Sequence, residues 1–535
     1  MSVSADQAQD IETATTAIET DPPSGAPDAK TRRYDRQLRL WASSGQSALE
    51  SASILVIGAS ATATSIIKNL VLPGVGSFTI LDPLAVAPAD AGNNFFLDGQ
   101  ESIGKNRAQE AVPLLQELND GVVGKADTRD IKDILATEDG QRWLRDFTLV
   151  IAVNTEGETT KRLSQCLWEA GEAAPTLIVV TSAGLISEFY IQFREHHIIE
   201  SHSESSPSLR IDKPFPALLQ HAMSLDFSTM DPTEHGHVPY VIILVRVLED
   251  WKKEHDGTPP KTYAEKQEFK ARIRAMKVKQ DEENFDEAEA QAYRAWTETT
   301  ASLPDHVPSD IKALFDDPAL AYGQLTIGSP PFLHLLDALK HFVSQPPYTL
   351  PLTSTLPDMK ADTTNYIHLQ KLYKTRAEEE KKIFRGLVRQ PVDEGLVDSF
   401  VRNCHAVKLM RGKPYGTFDL DQAAIANALA VSPKETVTHL ALSALSNIGR
   451  QNVSVEALTA EIQRLAGPGV ELPEEELDAA VGEVARAPTA DLPNVAAFLG
   501  GLVAQETIKM ITKQYVPVNG YCVADLVDTW TGVVA

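Results

Sequence analysis

The sequence predicts a doubly wound α/β domain interrupted by a large, mainly helical insertion. Three observations carry that expectation. A buried strand at 54–57, a turn at Gly58, a helix bearing Ile66, Ile67, Leu70 and Val71, and a second strand at 78–81 form a βαβ unit, whose crossover demands parallel strands. The alternation then continues to about residue 200. Beyond about residue 205 the apolar period becomes helical and stays so for about 280 residues.

Order begins at residue 31, where Tyr34, Leu38 and Trp41 recur at helical spacing, so a short amphipathic helix is expected, with Arg36 and Arg39 on its other faces. After the βαβ unit come a helix over 105–118, a strand at 148–153, a helix near 163–170 and a strand at 177–181. A further strand at 188–193 alternates apolar and polar side chains, which predicts a half-exposed strand. Helical segments follow at 240–251, 263–296, 332–343, 366–388 and 424–448. The chain closes with a small-residue helix over 495–512 and a strand-like tail at 521–534. The expected division is a disordered acidic tail at 1–30, an α/β domain built from 31–205 and 489–535, and a helical domain at 206–488.

Composition narrows the function classes. A net charge of −25 argues against nucleic-acid binding, which needs clustered Lys and Arg to displace phosphate counterions. The three cysteines, Cys166, Cys404 and Cys522, form no CxxC pair, and such sparse usage suits a reducing compartment. The first 30 residues have no apolar block of the signal-peptide kind, and no uncharged apolar run approaches the length that spans a bilayer. A cytoplasmic or nuclear protein with no membrane partner is expected.

A strand, a glycine turn and a helix are how α/β proteins present a helix N-terminus to phosphate. Here the loop runs Gly58, Ala59, Ser60, Ala61, Thr62, Ala63. Against the dinucleotide pattern G-x-G-x-x-G/A the middle glycine has become Ser60, which puts a side chain where phosphate needs bare backbone. Asp82, at the end of the second strand, fits the ribose-binding acid of an NAD-dependent oxidoreductase, a reading that needs an intact glycine loop. The competing reading of these residues is a strand-to-helix turn that binds nothing.

Several segments together resemble the activating enzymes of ubiquitin-like proteins, of the ThiF/MoeB-like superfamily. They are Arg-Tyr-Asp-Arg-Gln-Leu-Arg-Leu-Trp at 33–41, Lys-Asn-Leu-Val-Leu-Pro-Gly-Val-Gly-Ser-Phe-Thr-Ile-Leu-Asp at 68–82, Gly-Asn-Asn-Phe-Phe-Leu at 92–97, Ile-Gly-Lys-Asn-Arg-Ala at 103–108, and the 496–509 segment containing Gly500 and Gly501. The resemblance implies a Rossmann-like, adenylation-type α/β domain. It also implies that the 206–488 insertion corresponds to a catalytic-cysteine domain without its cysteine.

Active members of that family carry a GxGGxG-like loop, a ribose-binding aspartate and an arginine in an N-R-Q-F-like motif. This sequence has Ser60, Ala61 and Ala63 in place of the glycines, Leu84 for the acid and Asn94 for the arginine, with Asn154 standing at the place of a metal-linked aspartate. The resemblance therefore implies a degenerate site that binds neither cofactor nor metal, with ATP and magnesium held by a partner subunit. None of the cysteines fits the family's thioester motif. Cys404, beside His405, is read as packing, because adjacent helical residues diverge by about 100°.

The long insertion, with Arg210 to Pro216, Asp281 to Phe285 and Leu356 to Met359, resembles the non-catalytic subunits of the neddylation branch rather than those of sumoylation, which lack such an insertion. The implied partners are a catalytic activating subunit in a heterodimer, a NEDD/Rub-type ubiquitin-like modifier and, through the complex, a conjugating enzyme. By the same resemblance Arg36 reaches in trans to the partner's ATP. Lys105 reads as a relic or a salt-bridge residue, and the Gly500–Gly501 pair as a core or dimer contact.

Overall fold

The computed structural model describes residues 28–171, 174–203, 207–297, 307–451 and 453–535, so residues 1–27 of the expected acidic tail lie outside the described residues. The described residues divide into two compact units, one made of those up to residue 196 and of 410–535, the other of residues 197–409.

The first unit is built on an eight-stranded sheet. Its strands are β1 (Ser53–Ile57), β2 (Ser77–Leu81), β3 (Val123–Asp127), β4 (Leu149–Val153), β5 (Thr176–Ala183), β6 (Ile186–Gln192), β7 (Tyr521–Asp525) and β8 (Trp530–Val534). They lie in the order β8-β7-β6-β5-β4-β1-β2-β3. The first five run parallel, and β6, β7 and β8 add an antiparallel flank. The chain leaves β1 on one side for β2 and returns on the other as β4, so a topological switch point lies at the carboxyl end of β1.

β1 is apolar and buried from Ile54 to Ile57 because helices cover both faces. Ile54 and Val56 join a core with Ile66, Leu70, Leu499 and Val503, whereas Leu55 and Ile57 join one with Ile131, Leu144, Leu163 and Leu167. The helix Ala61–Val71 crosses the helix Pro493–Thr512 at Gly500, where a Cβ would lie 2.2 Å from Ser65 Oγ and 2.8 Å from Ser65 Cβ. At Gly501 a Cβ would meet open space, so the glycine pair is half core contact and half exposed surface. Among the described residues Pro493–Thr512 is the one helix with the length and composition to cross a membrane; 56% of that stretch is buried within the protein.

The opening helix, Ala29–Ser51, is capped by Asp28, whose side chain accepts from Thr31 N at 2.6 Å. It kinks at Trp41 and Ala42, where φ is 54° at Ala42, which ends the amphipathic stretch expected from 31–41.

Several features differ from expectation. Strand β3 was not anticipated: Val-Gly-Lys-Ala-Asp is a mostly exposed edge strand with no apolar run, and at Gly124 a Cβ would press on the Phe78 ring at 2.7 Å. The strand expected to be half-exposed, now Ile186–Gln192, is buried at every position. Its polar residues are paired inside, Glu188 with His439 at 2.7 Å and Gln192 Oε1 with Ser164 Oγ at 2.6 Å. Finally, residues 410–488 belong with the sheet rather than with the insertion, since Ala183 and Ile186 share a core with Ile425, Leu440, Leu458 and Val481. Helical periodicity shows that a face is apolar, not which core receives it.

The second unit, 197–409, is mainly helical. Tyr240–Glu254, Tyr263–Ala275 and Glu283–Ala290 surround a core of Trp251, Phe269 and Phe285. Pro331–Val343, Thr363–Leu387 and Glu394–Asn403 enclose another with Leu336, Phe384, Phe400 and Cys404. The segment read as helical from 263 to 296 is broken between Ala275 and Glu283.

Candidate functional site: a nucleotide crevice filled from within

The loop after β1 lies where open α/β sheets bind ligands. Gly58 has φ 98°, which favours glycine, and its N–H donates to Leu81 O at 3.0 Å. Every feature that would serve a phosphate is then turned inward. Ala59 N–H donates to Asp82 Oδ2 at 2.7 Å. Ser60 is the N-cap of Ala61–Val71, its hydroxyl accepting from Ala63 N at 3.4 Å. Thr62 donates through its N–H, at 3.1 Å, and through its hydroxyl to the carboxylate of Asp491. A carboxylate of this chain thus holds the helix end at which an α/β enzyme receives phosphate.

Asp82 is 1% exposed and cannot serve a ribose. Besides Ala59 it accepts from Leu84 N at 2.8 Å and from Arg107, whose terminal nitrogen lies 2.6 Å away. Arg107 also reaches Asp90 at 3.4 Å. Leu84, in the ribose acid's position, offers only an exposed apolar side chain. Asn94 is buried as a clamp on the loop: Nδ2 donates to Ala59 O at 3.1 Å, and Oδ1 accepts from Thr64 Oγ1 at 2.8 Å and Phe96 N at 3.0 Å. Lys105 is largely exposed and pairs locally with Glu110 at 3.3 Å.

At the end of β4, Asn154 adopts φ 50° and binds the end of β5, Nδ2 donating to Ser182 Oγ at 3.0 Å and Oδ1 accepting from Ser182 N at 2.9 Å. The same Oδ1 accepts from the Arg450 guanidinium at 2.7 Å. Arg450 donates further to Ser182 O at 2.9 Å and Pro488 O at 2.7 Å. Burial pulls this guanidinium down to about 10, against the Asp491 carboxylate, which favours its charge. A fixed cation therefore lies beside the place of a metal-linked aspartate. The residues present do not fit a nucleotide with magnesium: the carboxylates are already bonded, the helix end is capped, and a cation is built in.

Sequence reasoning missed Arg450, Asp491, Thr62 and Arg107. Thr62 and Arg107 stand inside local motifs that assign them no role, and no local spacing marks Arg450 or Asp491, which are 296 residues from Asn154 and 429 from Thr62.

The cysteines are poor nucleophiles. Burial pushes Cys404 up to about 12 and Cys522 up to about 11, and also raises Cys166, so little thiolate exists at neutral pH. On the opening helix, Arg33 binds Asp120 at 2.7 Å and Arg39 binds Asp35 at 3.2 Å. Arg36, between them, is exposed and makes no ion pair among the described residues.

Residues 34–529 match the ThiF family model. The NEDD8-activating enzyme E1 regulatory subunit of Xenopus laevis is 35% identical over 525 residues, covering 92% of this chain and 96% of that protein. That of Gallus gallus is likewise 35% identical, over 533 residues, with 92% and 96% covered. The regulatory subunit AXR1 of Arabidopsis thaliana is 31% identical over 549 residues, with 96% and 97% covered. An α/β unit joined to a helical insertion agrees with that match, and the chain belongs to the ThiF family and is a regulatory subunit in neddylation.

Proposed function

We propose that this chain has no catalytic step of its own and works by pairing with a catalytic activating subunit, whose ATP site it completes. The partner holds ATP and magnesium, adenylates the C-terminal glycine of a NEDD8-type modifier with release of pyrophosphate, and takes the acyl group onto its own cysteine thiolate with release of AMP. A conjugating enzyme then receives the modifier from the complex. The observation that carries this reading is the internal use of Asp82, Asn94, Asn154 and the Ala61–Val71 helix end, groups that would otherwise face a nucleotide. Arg36, an exposed fixed cation with no ion pair among the described residues, is the group offered outward to the pyrophosphate charge across the dimer. The 197–409 unit frames the space for the modifier, and the complex works in the cytoplasm or nucleus.

Co-expression with a catalytic subunit tests the reading. A stable heterodimer that charges the modifier with ATP is expected, while calorimetric titration of the lone chain with ATP or NAD gives no heat of binding. Tight binding of either nucleotide by the lone chain, or failure to pair, overturns it.

A further inference from the structure

We propose that the vacated crevice is a self-occupied binding site, in which Arg450 stands where a ligand's cation would lie and Asp491 where its anion would lie. This deepens the reading of the crevice as a lost nucleotide site, on which it rests.

The geometry is that of a ligand rather than of an ordinary surface pair. The guanidinium has three oxygen acceptors on three separate segments: Asn154 Oδ1 past β4, Ser182 O at the end of β5 and Pro488 O in the stretch before Pro493–Thr512. Asp491, in that same stretch, caps the helix that follows β1. The two charges thus join the carboxyl ends of β1, β4 and β5, which flank the switch point. In an α/β enzyme a bound nucleotide makes that connection and stabilises the folded state by mass action. Here the connection is covalently supplied and independent of any concentration. A planar donor fork serves three divergent acceptors in a way that a lysine ammonium does not. Arg450 enters the crevice directly after Gly449, whose φ of 84° turns the chain out of the helix Pro433–Ile448. The site that remains when the side chain is removed should accept a small planar organic cation.

Thermal unfolding of the full chain tests this, since it does not depend on pairing with a catalytic subunit and its outcome is separable from that of the co-expression. Arg450→Gly should lower Tm by several degrees. Ethylguanidinium chloride, compared with sodium chloride at equal ionic strength, should raise the Tm of Arg450→Gly while leaving the wild type unchanged or slightly lowered. An unchanged Tm in the variant, or a lowered Tm with no selective rescue, overturns the proposal. Should Arg450→Gly not fold, Asn154→Asp decides. An aspartate keeps the bonds to Arg450 and Ser182 N, and Ser182 Oγ can turn to donate to it. A guanidinium seated there makes Tm rise by a few degrees; no change or a fall overturns the proposal.

Discussion

Gly500 passes Ser65 so closely that a Cβ on Gly500 would stand 2.2 Å from the Ser65 hydroxyl and 2.9 Å from its carbonyl carbon. The neighbouring Gly501 faces open space on the same helix. Two adjacent glycines in one helix should therefore respond oppositely to alanine. Gly500→Ala forces the helices apart and should cost about 1–3 kcal/mol, after a helix-propensity gain of up to about 1 kcal/mol. Gly501→Ala meets nothing and should stabilise the lone chain by about 0.5–1 kcal/mol. Thermal melts should rank Gly500→Ala below the wild type and Gly501→Ala at or above it.

His439 lies fully buried between Glu188 Oε2, at 2.7 Å, and Asp419 Oδ1, at 2.8 Å. Burial opposes its charge, but the two carboxylates outweigh burial and raise it to about 10. A histidine raised in the folded state contributes stability that is complete below its unfolded value, near 6.5, and is lost as pH climbs through the folded one. Tm should therefore fall between about pH 7 and 10. His439→Gln leaves two carboxylates facing each other in the interior, so the variant should be less stable at neutral pH, and its decline should move below pH 7. A wild-type Tm that is flat across the alkaline window contradicts the buried imidazolium.

Arg36→Ala should leave the heterodimer intact, because its side chain is exposed and makes no ion pair among the described residues. Pyrophosphate exchange by the purified complex should slow by about 100-fold, the scale of losing one preorganised donor to developing charge. Unchanged exchange removes Arg36 from the partner's site.

Cys404 is 1% exposed, and burial keeps it protonated. In the native chain a maleimide should label Cys166 first, with Cys404 and Cys522 reacting only on unfolding. The complex carrying Cys404→Ala should charge the modifier at the wild-type rate, read on a non-reducing gel. A lost thioester band would return Cys404 to the chemistry.

Much of the α/β unit was legible because its signals are local. Ile54 to Ile57 is a short apolar run before Gly58, and the Ile66, Ile67, Leu70, Val71 stripe has the helical period. β3 escaped because an edge strand buries little and needs no apolar pattern. β6 looked half-exposed because Glu188 and Gln192 are polar; their burial depends on His439 and Ser164, partners that only folding brings near.

The candidate site divides along the same line. The departures at Ser60, Ala61, Ala63, Leu84 and Asn94 are substitutions at known places in a local motif, so they were readable from residue identity alone. Which groups bond to that loop and to the strand ends beside it was decided by tertiary structure. Arg450 and Asp491 arrive from 296 and 429 residues away from Asn154 and Thr62, and hydrogen bonds across such separations leave no period or spacing in the sequence. Periodicity reports which faces are apolar, while the choice of partner for a buried charge depends on which polar groups the folded chain brings within about 3 Å.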